Sequence, residues 1–341
     1  MNFKSHGDAS TQVIPSRGAG VLLHITSLPG GHGIGDLGAA TFAFLRWLSQ
    51  AGFGYWQFLP LCSLGLGNSP YSSPSVFSVN PWLISLDLLS ADGLLGREEV
   101  DHFVEVDPGR VDYNRVRAFK RPLLQAAARR LLDDKGHELH RDFLDFQEKQ
   151  AFWLDDACLY AGIRESRGNT PWMSWPADLR DRDPDALRNA ARSLAESIKV
   201  QRAVQFFFSR QLTRVRAAAD SLGLKLIGDM PVYASLDSAD AWAYRELFDL
   251  DEECRPRHLS GVPPDAFSET GQLWGNPVYN WKAMESEGFG WWRARLQHLL
   301  EECHLVRLDH FRGFSAFWGV LAEAADARQG LWIKGPGTKL F

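Results

Sequence analysis

Apolar positions gather into four short, nearly continuous runs: GVLLHITSLP at 20–29, YWQFLPL at 55–61, LKLIGDMPVYAS at 224–235 and LVRLDHFRGF at 305–314. Runs of this length, apolar at successive rather than alternate positions, predict strands of a parallel sheet covered on both faces. After the first run, AATFAFLRWLSQAG (39–52) carries apolar residues at helical spacing and stops at Gly52, giving strand, loop, helix, strand. GLGNSPYSSPSVFSVNP (65–81) then reads as a long loop. From about 92 to 215 the chain is rich in helix formers with apolar periodicity and charged faces, which predicts a helical insertion.

Parallel strands alternating with helices imply an α/β fold of the (β/α)8 TIM-barrel class, with about the first four barrel strands present. The expected organisation is residues 1–91 with the first two strands, 92–215 as helical insertion and barrel helices, and 216–341 with strands three and four. An open doubly wound sheet is the other fold of this pattern. HITSLPGGHGIGDLG has glycines but no GxGxxG opening a helix, so it gives little support to dinucleotide binding.

Within the last run, strand alternation puts Arg307 and Asp309 on one face and Leu308 and His310 on the other. Burial would protonate a carboxylate, and a neighbouring guanidinium favours its ionised form. A buried ion pair tying a strand end down and a catalytic carboxylate fit that spacing equally well. Asp229 closes the third run, where an aspartate also serves as helix cap or turn former. Tyr71 and Trp274 fall in predicted loops, where a large ring either covers its own loop or meets a ligand.

Charge and composition narrow the function. The chain has 341 residues, 45% hydrophobic and 23% charged, with a net charge of −5. That leaves no basic field for nucleic acid or an anionic membrane surface. Cys62, Cys158, Cys254 and Cys303 are scattered without a CxxC pair, which points away from zinc and disulfides and toward a reducing, cytoplasmic setting. The start, MNFKSHGDASTQVIPSRGAG, lacks a signal-peptide core, and no run reaches membrane-helix length. Aromatic residues make up 12%, which favours a sugar cleft.

The stretches RGAGVLLHITSLPGGHGIGDLG, YWQFLPL with NSPYSSPSVFSVNP, IGDMPVYASLDSADAWA, SGVPPDAFSETGQLWGNPVYNW and VRLDHFRGF, in that order from Arg17 to Phe314, resemble the amylomaltase family. These are disproportionating 4-alpha-glucanotransferases of the α-amylase clan. The resemblance implies Asp309 as the nucleophile that forms a covalent glucosyl ester, and Arg307 as the residue that orients it and keeps it ionised. It implies Asp229, Tyr71, Trp274, Asn276 and His310 as substrate contacts, although alternation parity leaves His310 off the Asp309 face. Residues 261–277 resemble a lid loop, with Ala266 where some relatives carry an aromatic ring, and Asp265 and Glu269 as further loop carboxylates.

The same resemblance implies a glutamate acid/base on a fifth strand and an assisting aspartate on a seventh, both beyond WIKGPGTKLF. Glu301, Glu302 and Glu323 do not match the acid/base motif, so none is assigned. The chain is therefore expected to be a C-terminally truncated member, inactive alone, with an open sheet edge. No cofactor or metal is implied, and the expected partners are alpha-1,4-glucans and maltooligosaccharides. A non-catalytic glucan-binding protein and a half-barrel that needs a complementary fragment are the alternatives.

Overall fold

The computed structural model describes residues 17–103, 107 and 109–341, so the reading of the first sixteen residues and part of REEVDHFVEVDPGR lie outside the described residues. In chain order the strands are β1 (Gly20–Leu22), β2 (Tyr55–Gln57), β3 (Lys225–Met230), β4 (His258–Val262), β5 (Gln272–Pro277), β6 (Leu305–Leu308), β7 (Ala316–Leu321) and β8 (Gly330–Lys334). The helices that matter below are α1 (Ala39–Gln50), α2 (Tyr113–Asp133), α3 (His140–Ser166), α4 (Ala195–Ser221) and α5 (Gly290–Glu302).

Two sheets divide these strands. The four apolar runs form one parallel sheet in the order β1-β2-β3-β6, the arrangement of a partial barrel. Each strand is shorter than its run, because the chain leaves the sheet once polar and proline residues begin. The first run turns into a 3-10 segment at Ile25–Ser27. Beside β3 the register sets Asp229 against Arg307 and Met230 against Leu308. Gly228 lets α5 approach β3, since a Cβ there would stand 2.8 Å from the Cys303 sulfur.

Two expectations need correction. First, a second, antiparallel sheet in the order β5-β4-β7-β8 takes in both ends of the segment expected to be a lid loop. The expected lid loop at 261–277 is therefore the end of a hairpin whose arms are β4 and β5, and Trp274 and Asn276 sit on a strand. Between the arms, Asp265 accepts the amides of Phe267 and Ser268 in a tight turn, leaving the Phe267 ring 95% exposed. Second, β6 is not an interior strand: Val306 and Leu308 are only partly covered and Phe311 is 58% exposed. Among the described residues no strand pairs with its outer edge. The aromatic residues are mainly core. Trp56, Trp82, Trp153, Trp172, Trp175, Trp242, Trp291 and Trp292 are all buried.

Helices α2, α3 and α4 occupy the span expected to be helical, and α4 packs on both of the others. Side chains on α2 and α4 fasten the long segment after β2. Lys120, wholly buried, donates to the Trp82 and Ile84 carbonyls at 2.7 and 2.8 Å and to Asp36 at 3.3 Å. Gln205 accepts the Val79 amide, and Gln211 both accepts and donates to the Ser85 backbone. The buried Lys120 and Gln211 side chains thus meet partners, as their desolvation requires.

At the end of α5, Glu302 lies 3.8 Å from the His298 ring. Burial pushes the glutamate up to about 8 and the histidine down to about 4. Both are therefore neutral near pH 7, and the contact is not an ion pair there.

Two outcomes follow for stability. Lys120→Met should cost about 3–5 kcal/mol in urea unfolding, because it strands Asp36 and two carbonyls without their donor. For Glu302, the folded value of about 8 stands above the ordinary 4.5, so the folded state holds a proton that the unfolded chain releases. Stability should fall as pH rises through that window, and Glu302→Gln should remove this part of the pH dependence in melting experiments.

Candidate active site

Tyr71, Asp229, Arg307 and Asp309 meet at the carboxyl ends of β3 and β6. Asp229 is buried, and its position opposite Arg307 in the parallel ladder puts the two side chains on one face. Arg307 donates from Nη1 to Asp229 at 2.5 Å and from Nη2 to Asp309 at 2.6 Å, so one planar guanidinium bridges two carboxylates. Both carboxylates push its own pKa further up, and it stays a cation at any working pH. The Asp309 amide donates to the Met230 carbonyl at 3.0 Å, which extends the ladder one step past β6 and leaves the carboxylate in the opening. Asp309 remains partly solvent-exposed.

Tyr71 enters from the long segment after β2, in a short turn over Pro70–Ser72 whose first amide is capped by Ser69. Its hydroxyl donates to Asp229 at 2.7 Å, and burial together with that carboxylate drives its pKa well up, so it stays a donor. The segment is anchored behind it by the buried Asp240, which accepts the Val76 amide at 2.8 Å. Here a loop tyrosine does not simply cover its own loop.

His310 departs from the alternation argument. It takes a left-handed conformation (φ 45°), which ends the strand and turns its ring toward β5, where it meets Trp274 edge-on at 4.9 Å between centroids. Burial lowers its pKa, and its Nε2 has no hydrogen-bond partner. Trp274 is partly exposed, with its indole nitrogen donating to Gln272 and the Tyr233 ring 6.2 Å away. Asn276, also on β5, is half-buried and makes no hydrogen bond to any of these groups.

Sequence reasoning missed the residues behind the site. Tyr233 stacks on Tyr279 at 5.8 Å, and Tyr279 donates to the Val232 carbonyl. Arg295 donates to the Pro231 and Val232 carbonyls from α5. A cation among Trp291, Trp292 and Leu299, on the side of the helix that has to face the sheet, was the available signal. Glu301 and Glu302 close α5, and Glu323 lies in the β7–β8 connection. Among the described residues no group of three or more His, Cys, Asp or Glu is placed to hold a metal ion. No helix there is long and apolar enough to cross a membrane.

Comparison with known proteins gives the same direction. The sequence profile of the 4-alpha-glucanotransferase family matches residues 23–341. The 4-alpha-glucanotransferase of Thermus thermophilus is 46% identical over 325 residues, covering 95% of this chain and 64% of that protein. The chloroplastic/amyloplastic enzyme of Arabidopsis thaliana is 45% identical over 330 residues, covering 95% of this chain and 56% of its own length. The chain thus spans less than two thirds of either relative. Among solved structures, amylomaltase from Streptococcus agalactiae in complex with acarbose superposes with a TM-score of 0.91 at 37% identity, over 95% of this chain and 66% of that one. The Corynebacterium glutamicum amylomaltase, at 20% identity and a TM-score of 0.71, shares the fold. On these grounds the chain belongs to the 4-alpha-glucanotransferase family.

Proposed function

We propose that this chain carries the donor-side half of a retaining 4-alpha-glucanotransferase site, acting on alpha-1,4-glucans. One observation supports it above the others: Arg307 holds Asp229 and Asp309 in one hydrogen-bonded line beside an exposed indole. A plain structural ion pair would not need a second carboxylate left open to solvent next to a sugar-sized ring.

In the reaction, an Asp309 carboxylate oxygen attacks the anomeric carbon while the glycosidic C–O bond breaks, and the leaving oxygen takes a proton from a general acid. The resulting glucosyl ester is opened by an acceptor sugar hydroxyl, which surrenders its proton to the same group acting as base. Asp229, buried with one oxygen on Tyr71 and the other on Arg307, holds both of these groups at the wall of the subsite next to the broken bond. Trp274 offers a stacking face, met edge-on from behind by the His310 ring. None of the described carboxyl groups is assigned as the acid/base. The four cysteines are free thiols, which supports a reducing, cytoplasmic setting.

Fluoride leaves without a proton, so α-maltosyl fluoride reads the donor half of the reaction independently of the acid. Fluoride release is expected from the chain as given, with Asp309→Ala reducing it by about 10³-fold or more, and 5-fluoro-α-glucosyl fluoride should label the peptide carrying Asp309. Undiminished release by Asp309→Ala would refute the assignment. A folded chain that binds maltotriose but releases no fluoride would favour the glucan-binding alternative. Separately, Arg307→Lys should lower release by about 10²-fold, because an ammonium cannot bridge two carboxylates in a plane.

A further inference from the structure

Arg295 is 4% exposed, yet among the described residues no carboxylate lies within ion-pair distance of it. A buried guanidinium is costly unless its charge is met. Here three oxygens and two ring faces meet it. Nη2 donates to the Pro231 carbonyl at 2.6 Å, and Nη1 to the Val232 carbonyl at 3.2 Å and the Tyr279 hydroxyl oxygen at 3.4 Å. The guanidinium carbon stands 5.5 and 5.1 Å from the Trp291 and Trp292 ring centroids.

The acceptors explain why a fold would keep such a group. Pro231 and Val232 are the first residues after β3, where the ladder to β6 has ended and their carbonyls have no strand to pair with. Two residues back along the chain lies Asp229. Two residues on from Pro231, Tyr233 packs beside Trp274. The fork on Arg295 therefore fixes the direction in which the chain leaves the sheet, between the carboxylate that meets Arg307 and the ring that backs the stacking platform.

We infer that Arg295 is a positioning residue of the site: it touches no reacting atom and sets the place of Asp229 by clamping the strand exit, with Tyr279 as its partner on the Val232 carbonyl. This rests on the function proposed above. A displacement of about 1 Å in a group that orients substrate can cost about 10²-fold in rate, so a clamp two residues away has leverage out of proportion to its distance.

The test is a double-substitution cycle read in kcat and KM for fluoride release from α-maltosyl fluoride, with circular dichroism and melting as folding controls. Arg295→Lys keeps the charge and loses the fork. It should lower kcat by about 10-fold or more in the wild-type background and by less than about twofold in Asp229→Asn, where the carboxylate it serves is gone. Equal losses in both backgrounds, or a folded Arg295→Lys with unchanged kcat, would overturn the inference. Should Arg295→Lys not fold, Tyr279→Phe removes the second donor to Val232 and should show a smaller loss with the same non-additivity; unchanged kcat there is equally decisive. If the unsubstituted chain releases no fluoride, the proposed function has failed instead. The clamp is then read by carbon-13 carboxyl NMR of labelled aspartate: Arg295→Lys, or Tyr279→Phe in its place, should move the Asp229 signal, and a fixed signal refutes the positioning role.

Discussion

The register between β3 and β6 is the constraint on which the site depends. Aligning Asp229 with Arg307 puts a carboxylate and a guanidinium on one face of neighbouring strands, at a spacing where one fork spans both Asp229 and Asp309. A slip of one residue would turn Asp229 to the opposite face and leave a buried charge without its partner. The interaction that aligns Asp229, Arg307 and Asp309 is thus also the one that would penalise any other pairing. Tyr71 is the outer end of the same line, delivered to Asp229 by a segment that has no sheet of its own to hold it.

That segment shows how the fold treats irregular backbone near the site. Residues between β2 and the helical insertion carry few ladder hydrogen bonds, so side chains supply what strands would have given. Lys120, Gln205, Gln211 and Asp240 each take up backbone groups of residues 76–85 from within the core. Arg295 does the same for the exit of β3. Buried polar side chains in this protein mostly terminate and aim loops, and the helical insertion is the platform from which several of them reach.

The second sheet gives the opening its other wall. β5 carries Trp274 toward His310, and the left-handed backbone of His310 brings the histidine ring back to it. Two sheets of different kinds, one parallel and one antiparallel, meet at the turn that follows Leu308. The Asp309 carboxylate, the His310 imidazole and the Trp274 indole gather there, although they come from strands with no common pairing.

Much of this was legible in the sequence. Continuous apolar runs identified all four parallel strands, although only the two inner ones, β2 and β3, have the cover that such a run implies. The polar residues that interrupt the runs at Asp229, Arg307 and Asp309 marked the strand ends where chemistry collects. Helix periodicity outlined the insertion, and the resemblance of five long motifs named the family. The antiparallel sheet was hidden, because residues 258–262 and 272–277 are short, glycine-containing and polar, and the pairing of 258–261 with 318–321 is set by contacts far apart in the chain. Alternation misplaced His310, since a positive φ at one residue cancels the parity rule. Tryptophan content did not separate the core rings from the exposed Trp274, because composition does not say which way a ring faces. The sequence by itself determined which strands and which charged residues exist. Only the tertiary structure decided that Arg307 bridges two carboxylates and that Arg295 clamps the strand exit, because each depends on the distance between residues that the chain order keeps apart.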